Sequence, residues 1–255
     1  MGKLVVGNLK MNLLSSDERE KYFELFKKEI SGKRLGDCEI VLCPPFIHLE
    51  VFKKTLSKRT KIGAQNMFWE GSGSYTGEIS GAMLKNFGCD YVIIGHSERR
   101  KYFCENNEEV NLKVQSAVKA DLKPIICIGE TRIEKETQQM LSVITKQLKK
   151  ALEGVTRPKL ENIVVAYEPV WAVGTDITPT AHEIMEAKVL IRKILVEGFG
   201  KKYAEKVPIL YGGSVNSRTV KNLCNDPEMD GILVGRESLV PHEFIKIAEI
   251  ISNSN

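Results

Sequence analysis

Three ionisable side chains, Lys10, His96 and Glu168, each stand just past a short apolar run, near residues 4–8, 90–94 and 162–166. A carboxylate such as Glu168 is a suitable base for taking a proton from carbon beside a carbonyl, provided a donor polarises that carbonyl. His96 and Lys10 are the available donors. Gly174, Ser214, Gly235 and Arg236 follow later runs, in loops where backbone N–H groups can surround a phosphate dianion and where glycine lets the chain come close. Alone, each residue has a plainer reading. Lys10 reads as a surface lysine, His96 as a hydrogen-bonded rim histidine, Glu168 as a cap before Pro169, and Gly212-Gly213-Ser214 as a tight turn. Their arrival at the same ends of successive runs favours an acid–base site.

Other chemistries fit less well. The four histidines, His48, His96, His182 and His242, show no H-x-x-x-H or H-E-x-x-H spacing, so no metal is expected. There is no G-x-x-x-x-G-K-[ST] phosphate loop and no G-x-S-x-G nucleophile elbow. The stretch from Gly71 to Gly77 misses a dinucleotide fingerprint by one residue, with no helical stripe after it, and reads as a loop. Cys127 falls inside an apolar run and reads as core rather than nucleophile. No cofactor is expected.

The elements that would position these groups recur along the whole chain. Runs rich in Val, Ile, Leu and Cys fall near 4–8, 39–43, 60–64, 90–94, 124–128, 162–166, 207–211 and 230–234. They are nearly continuous rather than alternating, the pattern of strands buried on both faces of a parallel sheet. Between them lie segments of helical period. Tyr22, Phe23, Phe26 and Ile30 follow a capping-box pair, Ser15 and Glu18; Leu141, Ile144, Leu148 and Leu152 form a second stripe; Thr180 with Glu183 precedes Met185, Val189 and Leu190-Ile191. Eight βα units in about 250 residues predict a closed (β/α)₈ TIM barrel of the α/β class, one domain over 1–255. A doubly wound sheet would place a glycine fingerprint after its first strand. Here that position reads Asn8-Leu9-Lys10-Met11-Asn12.

The 255-residue composition, 42% hydrophobic and 27% charged, is that of a globular protein with a sizeable core. A net charge of +4, with both signs interspersed, suits a small anionic substrate and lacks the dense basic stripe expected of a nucleic-acid partner. The six cysteines form no C-x-x-C pair and read as free thiols in a reducing compartment. The apolar run after Met1 is too short for a signal peptide, position 6 is Val where N-myristoylation expects Ser or Thr, and no stretch approaches the roughly 20 apolar residues of a membrane span. The expected location is cytoplasmic.

Taken in order, the motifs resemble triosephosphate isomerases over essentially the whole chain. They are Gly7-Asn8-Leu9-Lys10-Met11-Asn12, Gly63-Ala64-Gln65-Asn66, Gly77-Glu78-Ile79-Ser80, Gly95-His96-Ser97-Glu98-Arg99-Arg100, Cys127-Ile128-Gly129-Glu130, Ala166-Tyr167-Glu168-Pro169-Val170-Trp171-Ala172 and Tyr211-Gly212-Gly213-Ser214-Val215. The resemblance implies interconversion of dihydroxyacetone phosphate and glyceraldehyde 3-phosphate through an enediolate, without cofactor or metal. It implies Glu168 as the base and His96 as the electrophile, the latter neutral at a helix N-terminus as is known of this family. Lys10 matches the cation beside the enediolate and phosphate, Asn8 a substrate hydrogen-bonding residue, and Glu98 a carboxylate beside Lys10. Gly174, Ser214, Gly235 and position 236 match phosphate-binding amides. Residues 169–179, with Pro169, Val170, Trp171, Thr175, Asp176, Ile177, Thr178 and Pro179, match a mobile lid that excludes water from the intermediate.

Residues 66–80 carry Phe68, Trp69 and Tyr75 among Gly and Ser, too apolar and too long for a free surface loop. The resemblance implies a homodimer in which this loop docks on the neighbour and Thr76 reaches the partner's site. Three positions depart from the family pattern. The far hinge reads Asp176-Ile177-Thr178-Pro179 in place of the usual Gly-Lys-Thr-Ala, and a proline there restricts the backbone. Arg236 stands where a second glycine is common, and Cys104 replaces a usual glycine after Phe103.

Overall fold

Each apolar run forms a strand because a parallel barrel hides both of its faces, one in the barrel's interior and one beneath the helices. The computed structural model describes residues 2–56, 60–175 and 177–253. Its strands are β1 Leu4–Asn8, β2 Glu39–Cys43, β3 Thr60–Ala64, β4 Tyr91–Ile94, β5 Lys123–Ile128, β6 Val164–Tyr167, β7 Ile209–Tyr211 and β8 Gly231–Val234. They pair in sequence order, all parallel, and the barrel closes where β8 meets β1. The period of two divides the runs: Leu4, Val6, Ile93, Ile125 and Cys127 meet inside the barrel, while Val5, Val92, Ile94, Ile126 and Ile128 face the helical shell.

Two strands start later than the apolar runs suggest. A 3₁₀ segment, Arg157–Asn162, occupies the approach to β6. Pro208 has no N–H for a ladder, so it lends only its carbonyl, to Val165 N–H at 3.0 Å, and β7 begins at Ile209.

The helices are α1 Ser16–Ile30, α2 Leu49–Thr55, α3 Gly81–Asn86, α4 Ser97–Tyr102, α5 Asn107–Lys119, α6 Arg132–Glu136, α7 Met140–Ala151, α8 Ala181–Phe199, α9 Lys201–Ala204 and α10 Pro241–Ser252. Tyr22, Phe23 and Phe26 of α1 are buried as their spacing predicts. The Ser15 side chain accepts from Glu18 N–H, but the Glu18 carboxylate turns to Leu14 N–H at 2.8 Å, so the box is offset by one residue. Thr180 and Glu183 form the complete reciprocal box. Two stripes shift from the sequence reading. Leu141 is exposed at the first turn of α7, ahead of the buried Ile144 and Leu148. In α8 the buried face is Ile184, Ala187, Ile191 and Leu195, and Val189 faces out, because adjacent hydrophobic residues left two candidate faces and the sheet chose one. Among the described residues no helix is long and apolar enough to cross a membrane.

Candidate active site

The carboxyl ends of the strands surround a cavity of about 280 Å³, at the small end for ligand pockets and suited to a compact ligand. Its lining includes Asn8, Lys10, His96, Glu168, Gly174, Ser214, Gly235 and Arg236, drawn from loops after β1, β4, β6, β7 and β8. Residues 226 positions apart in the chain thus share one wall because barrel closure sets β8 beside β1.

Lys10 sits in the left-handed region at φ 53°, a strained turn for a lysine. Side chains hold it there. Asn8 Oδ1 accepts from Lys10 N–H at 3.0 Å, and Gln65 Nε2 donates to Lys10 O at 2.8 Å and to Cys43 O at 2.9 Å. The lysine ammonium donates to Glu98 Oε1 at 2.7 Å, a half-exposed pair whose value is orientation more than stability.

His96 is the N-cap residue of α4 and is buried. Its Nδ1 accepts from Glu98 N–H at 3.2 Å, so in the neutral ring the proton belongs on Nε2. That Nε2 lies 3.3 Å from Glu168 Oε1. The other carboxylate oxygen, Oε2, accepts from Ser97 N–H at 3.0 Å. The first two N–H groups of α4, orphans in any helix, therefore orient the histidine and the glutamate.

Space for Glu168 is made by glycine. A Cβ at Gly129 would overlap the Glu168 carbonyl, and one at Gly212 would lie 2.9 Å from Glu168 Cγ. Cys127 lies nearby, and burial together with the Glu168 carboxylate pushes its thiol well up, which keeps it a neutral core group.

The segment after Glu168 begins as a 3₁₀ turn, Val170–Ala172, and then contributes to the cavity lining. Gly174 N–H donates to Ser214 Oγ at 3.1 Å, and that hydroxyl donates to Ala172 O at 3.1 Å. Val173, Gly174, Thr175 and Thr178 line the cavity, Ile177 is exposed and Pro179 is buried. Asp176 lies outside the described residues. The indole N–H of Trp171 donates to Glu130 Oε1 at 2.7 Å, joined there by the Tyr167 hydroxyl at 3.1 Å. Burial raises the Glu130 carboxyl above its ordinary value despite the donors from Trp171 and Tyr167.

One supporting cluster escaped the sequence reading. Glu105 is buried, accepts from Gly95 N–H at 2.9 Å through Oε1, and from Arg99 Nε at 2.6 Å and Lys113 Nζ at 2.7 Å through Oε2. Burial alone would raise this carboxyl; the Lys113 and Arg99 cations outweigh burial and hold it below the usual range. Its reach depends on Cys104, at φ 55°. Phe103 N–H and Glu105 N–H both donate to Arg99 O, at 3.0 and 3.3 Å, which closes α4 with a left-handed turn that glycine favours. No spacing signal points to Glu105, because its partners come from α4, α5 and the turn before His96.

Thr76 is exposed in the loop after β3 and is not among the cavity's lining residues. The base of that loop is pinched by Phe68 N–H donating to Ile79 O at 2.8 Å. Phe68 packs on Trp69 and on Tyr75, with ring centroids 4.1 and 4.7 Å apart, so the three rings partly cover one another.

Comparison with known proteins agrees with this arrangement. The triosephosphate isomerase family model matches residues 3–251. Three proteins named triosephosphate isomerase illustrate the similarity. That of Dictyoglomus turgidum is 46% identical over 243 residues, covering 95% of this chain and 96% of its own length. That of Alkaliphilus oremlandii is 44% identical over 245 residues, covering 96% and 97%. That of Endomicrobium trichonymphae is 44% identical over 247 residues, again 96% and 97%. With this similarity running the length of the barrel and through every loop of the cavity, the chain belongs to the triosephosphate isomerase family.

Proposed function

We propose that this cavity interconverts dihydroxyacetone phosphate and D-glyceraldehyde 3-phosphate, the step shared by glycolysis and gluconeogenesis, with Glu168 as the base. The observation that carries the reading is the buried Glu168 carboxylate 3.3 Å from His96 Nε2, across a cavity that Lys10 also lines. Glu168 removes a proton from the carbon beside the carbonyl and returns it to the neighbouring carbon. His96 Nε2–H donates to the carbonyl oxygen as negative charge develops there, and Lys10 adds a positive charge that favours the enediolate. Asn8 donates to substrate oxygen, and Glu98 keeps the Lys10 ammonium in place.

The phosphate is held by the amides of Gly174, Gly235 and Arg236 with Ser214, all of which line the cavity. Residues 169–179 act as a lid, since a closed cover keeps water from the enediolate and prevents loss of its phosphate. The reaction needs no cofactor or metal, because proton transfer alone balances it.

Residues 1–255 work as one domain, and the active form is a homodimer built on loop 66–80 with Thr76 reaching the neighbour's site. Exposed Met11, Leu14, Ile47, Tyr75, Tyr102 and Phe103 support this: they follow β1 to β4, adjacent strands, and so gather on one side of the barrel. Free thiols at all six cysteines suit the cytoplasm.

A coupled assay on glyceraldehyde 3-phosphate tests the reading. The wild-type protein is expected to turn over, and Glu168→Gln to lose several orders of magnitude in kcat with an unchanged fold by circular dichroism. An inactive, well-folded wild type would sink it.

A further inference from the structure

Lys135 does not line the cavity, yet both roots of segment 169–179, which contributes to the lining, converge on this residue. It lies in α6, a short helix fixed at its start by the reciprocal Thr131–Glu134 box. The Lys135 ammonium sits 3.3 Å from the centroid of the Trp171 ring. It also donates to Glu183 Oε1 at 2.6 Å. The second oxygen of Glu183 accepts from Thr180 N–H at 2.8 Å and from its hydroxyl at 3.0 Å. Trp171 stands near the beginning of residues 169–179, and Thr180 immediately follows their end. One cation therefore touches the first root through an aromatic face and the second through a carboxylate. The indole is gripped on its edge as well, by Glu130 at 2.7 Å. In this same arrangement Gly174 and Ser214, both lining the cavity, are tied together at 3.1 Å.

We propose that Lys135 is a positioning residue for the lid: seated on Trp171 and paired with Glu183, it staples the two roots together and favours the arrangement that covers the cavity. This rests on the reading of 169–179 as a lid. A cation over an indole is a directional attraction that disappears when the ring swings away. The Glu183 pair keeps the ammonium on station while the ring moves. Removing the charge lowers the population of the covered arrangement, and apparent substrate affinity falls in proportion.

Lys135→Met keeps an unbranched stem of similar length and deletes the charge with its hydrogen bond to Glu183, while Glu183 retains its hold on Thr180. Trp69 and Trp171 are the only tryptophans, so a Trp69→Phe background isolates the hinge ring. Lys135→Met is expected to shift Trp171 emission without substrate present, and to raise KM for glyceraldehyde 3-phosphate about three- to tenfold, with a smaller change in kcat. Lys135→Arg, which keeps a cation able to stack on the ring, is expected to restore both. A lower melting temperature with KM and Trp171 emission unmoved would assign a purely structural role and overturn the proposal. So would a Lys135→Arg variant as impaired as Lys135→Met. The emission measurement needs no turnover, so its outcome is separate from failure of the isomerase reading itself.

Discussion

Burying a carboxylate is costly unless its oxygens meet donors, and two glutamates in this barrel solve the problem differently. Glu168 meets one backbone N–H and the edge of the His96 ring, with no lysine or arginine paired to it among the described residues. A tightly paired cation would have made it a poor proton acceptor. Glu105 meets two cations and is correspondingly a structural acid. Its folded carboxyl lies below the ordinary value of 4.5, so the stability it contributes is present above that value and is lost as pH falls through the folded value. Glu105→Gln leaves the buried Lys113 facing a neutral amide. That change is expected to cost about 3 kcal/mol, read by urea unfolding at pH 7, and to flatten the loss of stability below pH 4.5. Because Glu105 also holds Gly95 N–H, kcat is expected to fall with it. An unchanged acid limb would mean that the two cations find other partners.

At the scale of elements, α4 works through both of its ends. Its first N–H groups orient His96 and Glu168, and its last turn delivers Glu105 under the loop that carries His96. The closing turn places Cys104 where a side chain clashes with its own carbonyl, at a cost of about 1–2 kcal/mol. Glycine would relieve this while adding about 0.4–1 kcal/mol of unfolded-chain entropy. Cys104→Gly is thus expected to stabilise the protein by about 1 kcal/mol, a rise of about 2–4 °C in melting temperature, checked by calorimetry under reducing conditions. An equal or lower midpoint would show that the thiol makes up the difference. The resemblance marks this position as unusual; the backbone angle supplies the reason.

For the whole molecule, closure is the decisive event. It brings Asn8 and Lys10 beside Gly235 and Arg236, and it sets the loops after β1 to β4, which carry exposed Met11, Ile47 and Tyr75, next to one another. Met11, 87% exposed, and Ile47, 80% exposed, are costly to leave in water in a protein of this size. Sedimentation of the wild type is expected at twice the chain mass. Tyr75→Asp, which puts a charge among the stacked rings of loop 66–80, is expected to shift it toward the monomer and to lower activity. A wild type that sediments as a monomer at micromolar concentration would remove the dimer from the reading.

How much of this was legible beforehand follows from the range of the forces involved. The eight runs, the positions of Lys10, His96 and Glu168 just past three of them, and the Thr180–Glu183 box are written in local spacing, since buried parallel strands must be continuously apolar and a helix start must satisfy its own N–H groups. Sequence patterning alone therefore determined the barrel and placed Lys10, His96 and Glu168 at one rim of it, while their proposed roles came from the family resemblance. Tertiary structure decided which face of α8 is buried, where β7 starts, and which ring nitrogen of His96 faces Glu168. It also decided that Glu105 sits beneath the site, that glycines make room for Glu168, and that Lys135 reaches Trp171. Each of these depends on partners tens of residues away, whose approach is set by packing and barrel closure rather than by any repeat along the chain.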